Sequence, residues 1–228
     1  MCGRMTQTRP LGDYAALFGA APVPGLSVVP RYNLAPSQKA LAVRLASSGA
    51  RELWMPTWGL VPRWAGERGR VAPINARIET VAVRPFFREA FRRGRCLVPA
   101  DGYFEWQTLS SGKAPWYFRK VTGEPLALAG IWDSWRDHAT EEILETFAVL
   151  VRPAARAVRL IHDRMPVILG REEEKEWLDP DRIPGGALLT RLSTEEPDGI
   201  VGYEVEHAVN SPRNEGPALL RPRGTAQV

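Results

Sequence analysis

Eight short apolar stretches, at 39–46, 52–58, 95–98, 103–108, 115–121, 126–135, 144–151 and 201–207, punctuate this chain and constrain its fold more than any other feature. Each is rich in Val, Trp, Phe and Tyr, the side chains that suit a pleated, half-buried surface. Helical signals are sparse beside them. Residues 13–18 form a small amphipathic helix closed by Gly19, and Pro85 opens a helix over 86–93. Residues 154–161 have helical spacing, and 172–178 carry acidic residues in the first turn of a surface helix. Residues 21–30, with three prolines, read as a loop. The lack of regular strand-helix alternation argues against a doubly wound parallel sheet and for an antiparallel α+β domain. No internal repeat or low-complexity linker divides the 228 residues, so one core accommodates them.

Composition narrows the function classes. With 44% hydrophobic and 25% charged residues the chain is globular rather than disordered. No apolar run approaches the roughly 18 residues of a spanning helix, so no membrane is expected. MCGRMTQTRP has no apolar segment after its arginines and does not read as a secretory signal, so the expected location is cytoplasmic. Cys2 and Cys96 cannot build a disulfide framework, and His138, His162 and His207 stand singly, so neither a metal nor a cofactor is expected. Net charge is +4, yet residues 1–110 hold 15 Lys and Arg against 7 Asp and Glu, and residues 111–228 hold 15 against 19. Of the basic residues 26 are Arg, the side chain suited to phosphate forks and base stacking. A nucleic-acid surface and a merely solvated basic face both fit that bias.

Cys2 is the first residue with distinctive chemistry. Once the initiator Met is removed, the chain begins with an α-amine and a thiol on one residue. Their ordinary pKa values, about 7.7–8.0 and about 8.5, leave both partly nucleophilic at neutral pH. An aldehyde condenses with such an amine to an imine, which the thiolate closes into a five-membered thiazolidine. Gly3 and Arg4 follow, a backbone without Cβ crowding and then a guanidinium. Read alone, a Cys at this position is more often incidental.

Other segments offer partners. RCLVPADGYFEW at 95–106 turns through Asp101-Gly102 into an aromatic strand. Alternation places Tyr103 and Glu105 on one face, Phe104 and Trp106 on the other. A carboxylate among aromatics loses solvation, which raises its pKa and suits it to proton transfer. The alternative is an ordinary salt-bridged strand Glu. In HDRMPVIL, at 162–169, a rigid turn presents His162 and Arg164, unless the His is a structural one. In INARIET, at 74–80, Asn75 and Arg77 share a face if extended, an amide beside a cation suited to phosphate, while Glu79 reads as a surface residue. In WGLVPRW, at 58–64, Trp58 reads as core and Trp64 as an exposed platform on which unpaired bases stack.

With MCGR at 1–4, RYNLAPSQ at 31–38, RPFFREAF at 84–91, AGIWDSW at 129–135 and VN at 209–210, these segments resemble the SOS-response-associated peptidase (SRAP) family of abasic-site-processing proteins, in order and over nearly the whole chain. The resemblance implies a single α+β SRAP domain of twisted antiparallel sheets with a barrel-like core and a few flanking helices. Its expected extent is 1–215, with 216–228 as a short C-terminal tail. It also implies a covalent cross-link between the N-terminal Cys and abasic sites in single-stranded DNA, formed by a monomer. Carried over by motif, the site residues are Cys2, Asn75, Glu105 and His162, and the DNA contacts are Arg4, Asn33, Arg77 and Arg164. Pro36 with Trp64 is expected to wedge stacked bases apart. Three positions depart from the family pattern: Met5 follows CGR, GYFEW replaces GFYEW or GWFEW, and Val151-Arg152 stand where a Thr is usual. Arg152 is expected to replace that hydroxyl contact by charge.

The chemistry implied gives Glu105 proton transfer in sugar ring opening and imine formation, and His162 a proton shuttle at the sugar oxygen or carbinolamine. Asn75 holds the Cys2 amine and carbonyl. β-Elimination of the 3′ phosphate and reversal of the adduct are further expectations. Two other classes stay open at this stage. An N-terminal-nucleophile amidohydrolase also begins Cys-Gly and uses its α-amine as base. A non-covalent single-strand-binding module would leave Cys2 a spectator. No Ser-His-Asp set is visible, so "peptidase" describes at most removal of the chain's own Met1.

Overall fold

The structure is a computed structural model that describes residues 2–67, 69, 72–137 and 139–228, the side chain of Ala226 excepted; Met1 and His138 lie outside the described residues. Residues 147–151 are buried at every position, as a strand covered on both faces must be. They belong to β12 (Ile143–Pro153), in the middle of the larger of two sheets. Its path runs β13 (Arg164–Pro166), β12, β11 (Leu126–Arg136), β8 (Arg95–Ala100), β4 (Ala42–Leu45), β5 (Arg51–Trp54) and β2 (Ala21–Pro22). β14 (Ile168–Leu169) pairs with β11, and β6 (Thr57–Trp58) and β7 (Asn75–Arg77) pair with β12. The smaller sheet runs β16 (Pro222–Gln227), β15 (Ile200–Val205), β10 (Gly112–Lys120), β9 (Gly102–Leu109), β1 (Met5–Gln7) and β3 (Arg31–Leu34). Pairing is antiparallel except where β12 meets β6 and β7 and where β2 meets β5.

The large sheet curls into a half-barrel. Between the sheets Cys2, Met5, Tyr103 and Phe118 pack with Val98, Leu128, Val149 and Val151. The outer face of the large sheet is covered by α1 (Leu11–Phe18), α2 (Arg88–Arg93), α4 (Arg171–Leu178) and α5 (Gly186–Thr194), which bury Phe18, Phe91, Trp177 and Leu192 there. The short α3 (Arg156–Arg159) drops Val158 into the inter-sheet core. On the outer face of the small sheet Phe104, Tyr117, Val205 and Val209 form a separate cluster. The α+β expectation holds. Within the C-terminal segment 216–228, a 3-10 turn at Pro217–Leu220 leads into β16, which pairs with β15.

The first strand carries Cys2 into this core. β1 lies between β9 and β3, with Met5 opposite both Tyr103 and Leu34. Buried Gln7 donates to the carbonyls of Leu41 (2.8 Å) and Pro99 (2.7 Å) and accepts from the Leu41 N–H (2.8 Å). Asp101 accepts from the Thr8 N–H and hydroxyl, the Tyr14 hydroxyl and Arg9 Nε at 2.6–2.9 Å. Next to it, a Cβ on Gly102 would lie 2.4 Å from the Tyr117 ring, whose hydroxyl shares a 2.8 Å hydrogen bond with Thr6. Only glycine allows that approach.

Arg95 closes the helical side. Its guanidinium donates to the carbonyls of Trp177 (2.6 Å), Phe91 (2.9 Å), Arg92 (3.0 Å), Arg182 (3.0 Å) and Asp179. It thereby satisfies orphan carbonyls at the ends of α2 and α4. Lysine has fewer donors and no fixed fork. Arg95→Lys is expected to destabilise the fold by ~2–4 kcal/mol, through buried carbonyls left unmatched. Urea unfolding tests this, and a loss below about 0.5 kcal/mol would show that the cap is dispensable.

Candidate active site

Strand alternation sets the site's central group. Glu105 follows Tyr103 on the inward face of β9, opposite Trp116 of β10, while Phe104 joins the outer cluster. The carboxylate is therefore almost fully buried. Burial raises its pKa from 4.5 to about 7, because the charged form has lost its water. His162 follows α3, its N–H bonded to the Val158 carbonyl at 2.9 Å. Its Nε2 stands 3.9 Å from Glu105 Oε2. The Arg164 N–H donates to His162 Nδ1 at 3.0 Å. The same nitrogen lies 3.2 Å from the Arg164 carbonyl and 3.0 Å from Asp163 Oδ1, so either tautomer of the neutral ring finds a partner there. Burial first, and the charge of Lys113 among others, lowers the His162 pKa and favours that neutral ring. An oxygen seated in the gap can hydrogen-bond to both groups.

A cleft of about 440 Å³ opens over this pair, lined by Arg4, Glu105, Trp106, Thr108, Lys113, His162 and Asn210. Arg4 is held by neutral acceptors, Asn33 Oδ1 at 2.5 Å and the Val209 carbonyl at 2.7 Å, with its guanidinium 5.6 Å from the Trp106 ring centre. Among the described residues no carboxylate hydrogen-bonds to it, and Glu215 acts on it only through space. Cys2 lies beneath, fully buried. Its thiol is pushed up by burial and then by the nearby Glu105 charge, while the Arg4 backbone N–H hydrogen-bonds to it and opposes the rise. Among the described residues no group of three or more His, Cys, Asp or Glu is placed to share a metal ion.

The other expected residues divide. Asn75 on β7 donates to the Val149 carbonyl at 3.4 Å, and its Oδ1 is buried without a hydrogen-bond partner, an acceptor held ready for a donor. Arg77, two residues on, is exposed. Glu79 is exposed, as expected, and engages Arg164, Nη1 to Oε1 2.5 Å. Asn33 is wholly buried, with Nδ2 donating to the carbonyls of Val209, Ser211 and Asn214. It orders Arg4 and the turn at 209–214 and presents nothing at the surface. Trp64 is 56% exposed, edge-on to Phe86, whereas Trp58 is core. Its loop is pinned by buried Asp133, which accepts from the Arg63 N–H (2.9 Å) and Nε (2.8 Å). Pro36 lies on the adjoining turn, where the Ser37 N–H donates to the Trp58 carbonyl at 2.8 Å. Arg152 does not take over a contact at the site. Val151 faces the inter-sheet core, so its neighbour points the opposite way and bonds the Glu195 carbonyl. Thr108 and Lys113, cross-strand partners in the β9–β10 hairpin, were not expected at the site. Alternation from Glu105 brings only their hairpin into view.

A carboxyl whose folded pKa lies above its unfolded one favours folding while protonated, and loses that preference as pH rises through the folded value. Glu105 is therefore expected to cost the fold about 3 kcal/mol between pH 4.5 and about 7. Glu105→Gln removes that descent. Denaturant midpoints across the window test it, and parallel profiles for wild type and Glu105→Gln would contradict the raised pKa.

Comparison with known proteins agrees with this architecture. The sequence matches the family described as SOS response associated peptidase (SRAP) over residues 1–212. It is 36% identical to abasic site processing protein YoaM of Bacillus subtilis, covering 96% of this chain and 97% of that one. It is 30% identical to abasic site processing protein YedK of Escherichia coli, covering 97% and 100%. A crystal structure of a protein from Bacteroides thetaiotaomicron superposes with a TM-score of 0.86 at 25% identity, over 97% of this chain and all of that one. A phage-related protein from Bordetella bronchiseptica follows with 0.71 at 31% identity, over 94% and 99%. Matched by the family model over residues 1–212 and 36% identical to a relative over 96% of its length, the chain belongs to the SOS response associated peptidase family.

Proposed function

We propose that this protein processes abasic sites in single-stranded DNA by linking them to Cys2 after Met1 is removed. The observation that carries the reading is Glu105, a buried carboxyl titrating near neutrality, facing His162 and acting on the Cys2 thiol beneath a cleft lined by Arg4 and Lys113. A group with a pKa near the working pH is the most effective proton carrier. The relatives' names, abasic site processing protein, point to the same substrate.

Glu105 transfers protons as the sugar ring opens to its aldehyde. The Cys2 amine adds to C1′, and the carbinolamine loses water to give the imine. The Cys2 sulfur then bonds to the same carbon, and its proton passes to the nitrogen through Glu105 or His162. The product is a thiazolidine, one water lighter than its parents. Asn75 Oδ1 is the acceptor for the amine in this scheme. Arg4, Arg77 and Arg164 take flanking phosphates, and Trp64 with Pro36 offers a surface for unstacked bases. β-Elimination from the imine and reversal of the ring by the same groups follow from the same chemistry.

Intact mass after incubation with an abasic single-stranded oligonucleotide tests the reading. The expected species lacks Met1 and equals protein plus DNA minus one water. Cys2→Ser should lose the heat-stable adduct yet leave an imine that borohydride traps. Met1 retained on an active preparation, or a heat-stable Cys2→Ser adduct, would rule the scheme out. DNA affinity that survives with no adduct would instead make this a binding module.

Glu79 competes with phosphate for Arg164. Exposed ion pairs contribute up to about 1 kcal/mol, so Glu79→Gln is expected to tighten single-strand binding about two- to fivefold at low salt. Fluorescence anisotropy measures this, and unchanged or weaker binding would remove Arg164 from the DNA contacts.

A further inference from the structure

The mechanism above leaves the phenol of Tyr103, in the same core cluster as Cys2, unused. Tyr103 is fully buried, and its hydroxyl has no hydrogen-bond partner. Such a group is costly unless something occupies it in the working state. Its ring is fixed by stacking on Phe118, centroids 5.3 Å apart, and its backbone faces Met5 across the β1–β9 pairing. The Phe104 N–H donates to the Arg4 carbonyl at 3.0 Å, so residues 2–5 run directly alongside 103–105. Alternation puts the phenol on the inward face with Glu105 and into the same core cluster as Cys2.

We propose that Tyr103 is a positioning residue for the Cys2 sulfur, its hydroxyl donating a hydrogen bond that holds the thiolate on the side from which it closes onto the imine carbon. Burial, then the charges of Cys2 and Glu105, hold the phenol's own pKa well above 10, so it keeps its proton and remains a donor throughout the working range. A second donor complements the Arg4 backbone N–H, which alone does not offset the burial that favours the neutral thiol. Glu105 cannot supply it once ionised, being then an acceptor only. No bond to Tyr103 forms or breaks, and the thiol proton leaves through the acid-base pair already described.

The inference rests on the cross-linking reading for its purpose but not for its test. In the full chain with Met1 removed, and with cysteine labelled at ¹³Cβ, the Cys2 resonance reports its ionisation directly. Cys2→Ser assigns it against Cys96. Tyr103→Phe is expected to move the Cys2 midpoint up by about one pH unit, a tenfold fall in thiolate at neutral pH. Adduct formation with abasic single-stranded DNA should slow by a similar factor and recover at higher pH. An unchanged Cys2 midpoint would overturn the proposal, whatever happens to the adduct. Should Tyr103→Phe fold poorly, the wild type still decides: the ring ¹³Cζ resonance of Tyr103 must step with Cys2, and a flat response overturns the proposal. Absence of any adduct in wild type would defeat the cross-linking reading alone.

Discussion

The site depends on how β1 is held. Three residues, Met5–Gln7, form a strand between β9 and β3, too short for pairing alone to fix it. Gln7 supplies what the ladder lacks, by hydrogen bonds to two backbone groups of Leu41 and one of Pro99. Asp101 grips the next two residues. Buried polar groups satisfied this completely are specific, since a shift of register would orphan all of them at once. The outcome is a chain start locked against Tyr103 and Glu105, with Cys2 held inside the protein.

Burial then sets the electrostatics. Glu105, Tyr103 and Cys2 share the inter-sheet space with Phe118, Val149 and Val151, where each charged form loses hydration. The carboxyl responds by titrating near 7 and the two weaker acids by holding their protons. This ordering leaves Glu105 as the group that changes charge at neutral pH, with His162 neutral beside it. Asn75 Oδ1 and the Tyr103 hydroxyl are both buried without hydrogen-bond partners, an arrangement that costs stability as folded.

Much of this was legible in the sequence where a local rule governs it. Alternation in GYFEW places Glu105 inward and Phe104 outward, and the apolar strands at 95–98, 126–135 and 144–151 fall within β8, β11 and β12. Trp58 and Trp64 divide into core and surface as their neighbours suggest. What escaped depends on contacts distant in sequence. β1 reads as polar because Thr6 and Gln7 are buried by partners more than thirty residues away. Asn33 looks like a surface amide until residues 209–214 close over it. Glu79 is exposed as its sequence reads, but its pairing with Arg164, 85 residues on, is not visible locally. The helix α5 carries Gly186 and two Thr, a composition that offers little helical propensity, and it forms by packing Leu188 and Leu192 on the large sheet.

The uneven charge of the two halves resolves in the same way. Many arginines of the basic first half are matched internally by acids of the second: Arg31 with Glu215, Arg44 with Glu145, Arg51 with Glu174 and Arg63 with Asp133. Arg95 is spent on helix carbonyls. These four pairs are a folding device, long-range ion pairs joining segments that local pattern leaves unconnected. Two of the remaining arginines lie at or near the site. Arg4 is positioned by neutral oxygens and an indole ring, and Arg77 is exposed beside β12. A cation oriented without being neutralised retains its attraction for phosphate, whereas one held by a carboxylate must first be released. Arg4 at the cleft and Arg77 at its strand end are therefore ready for an anion as folded, and Arg164 becomes so only when Glu79 lets go.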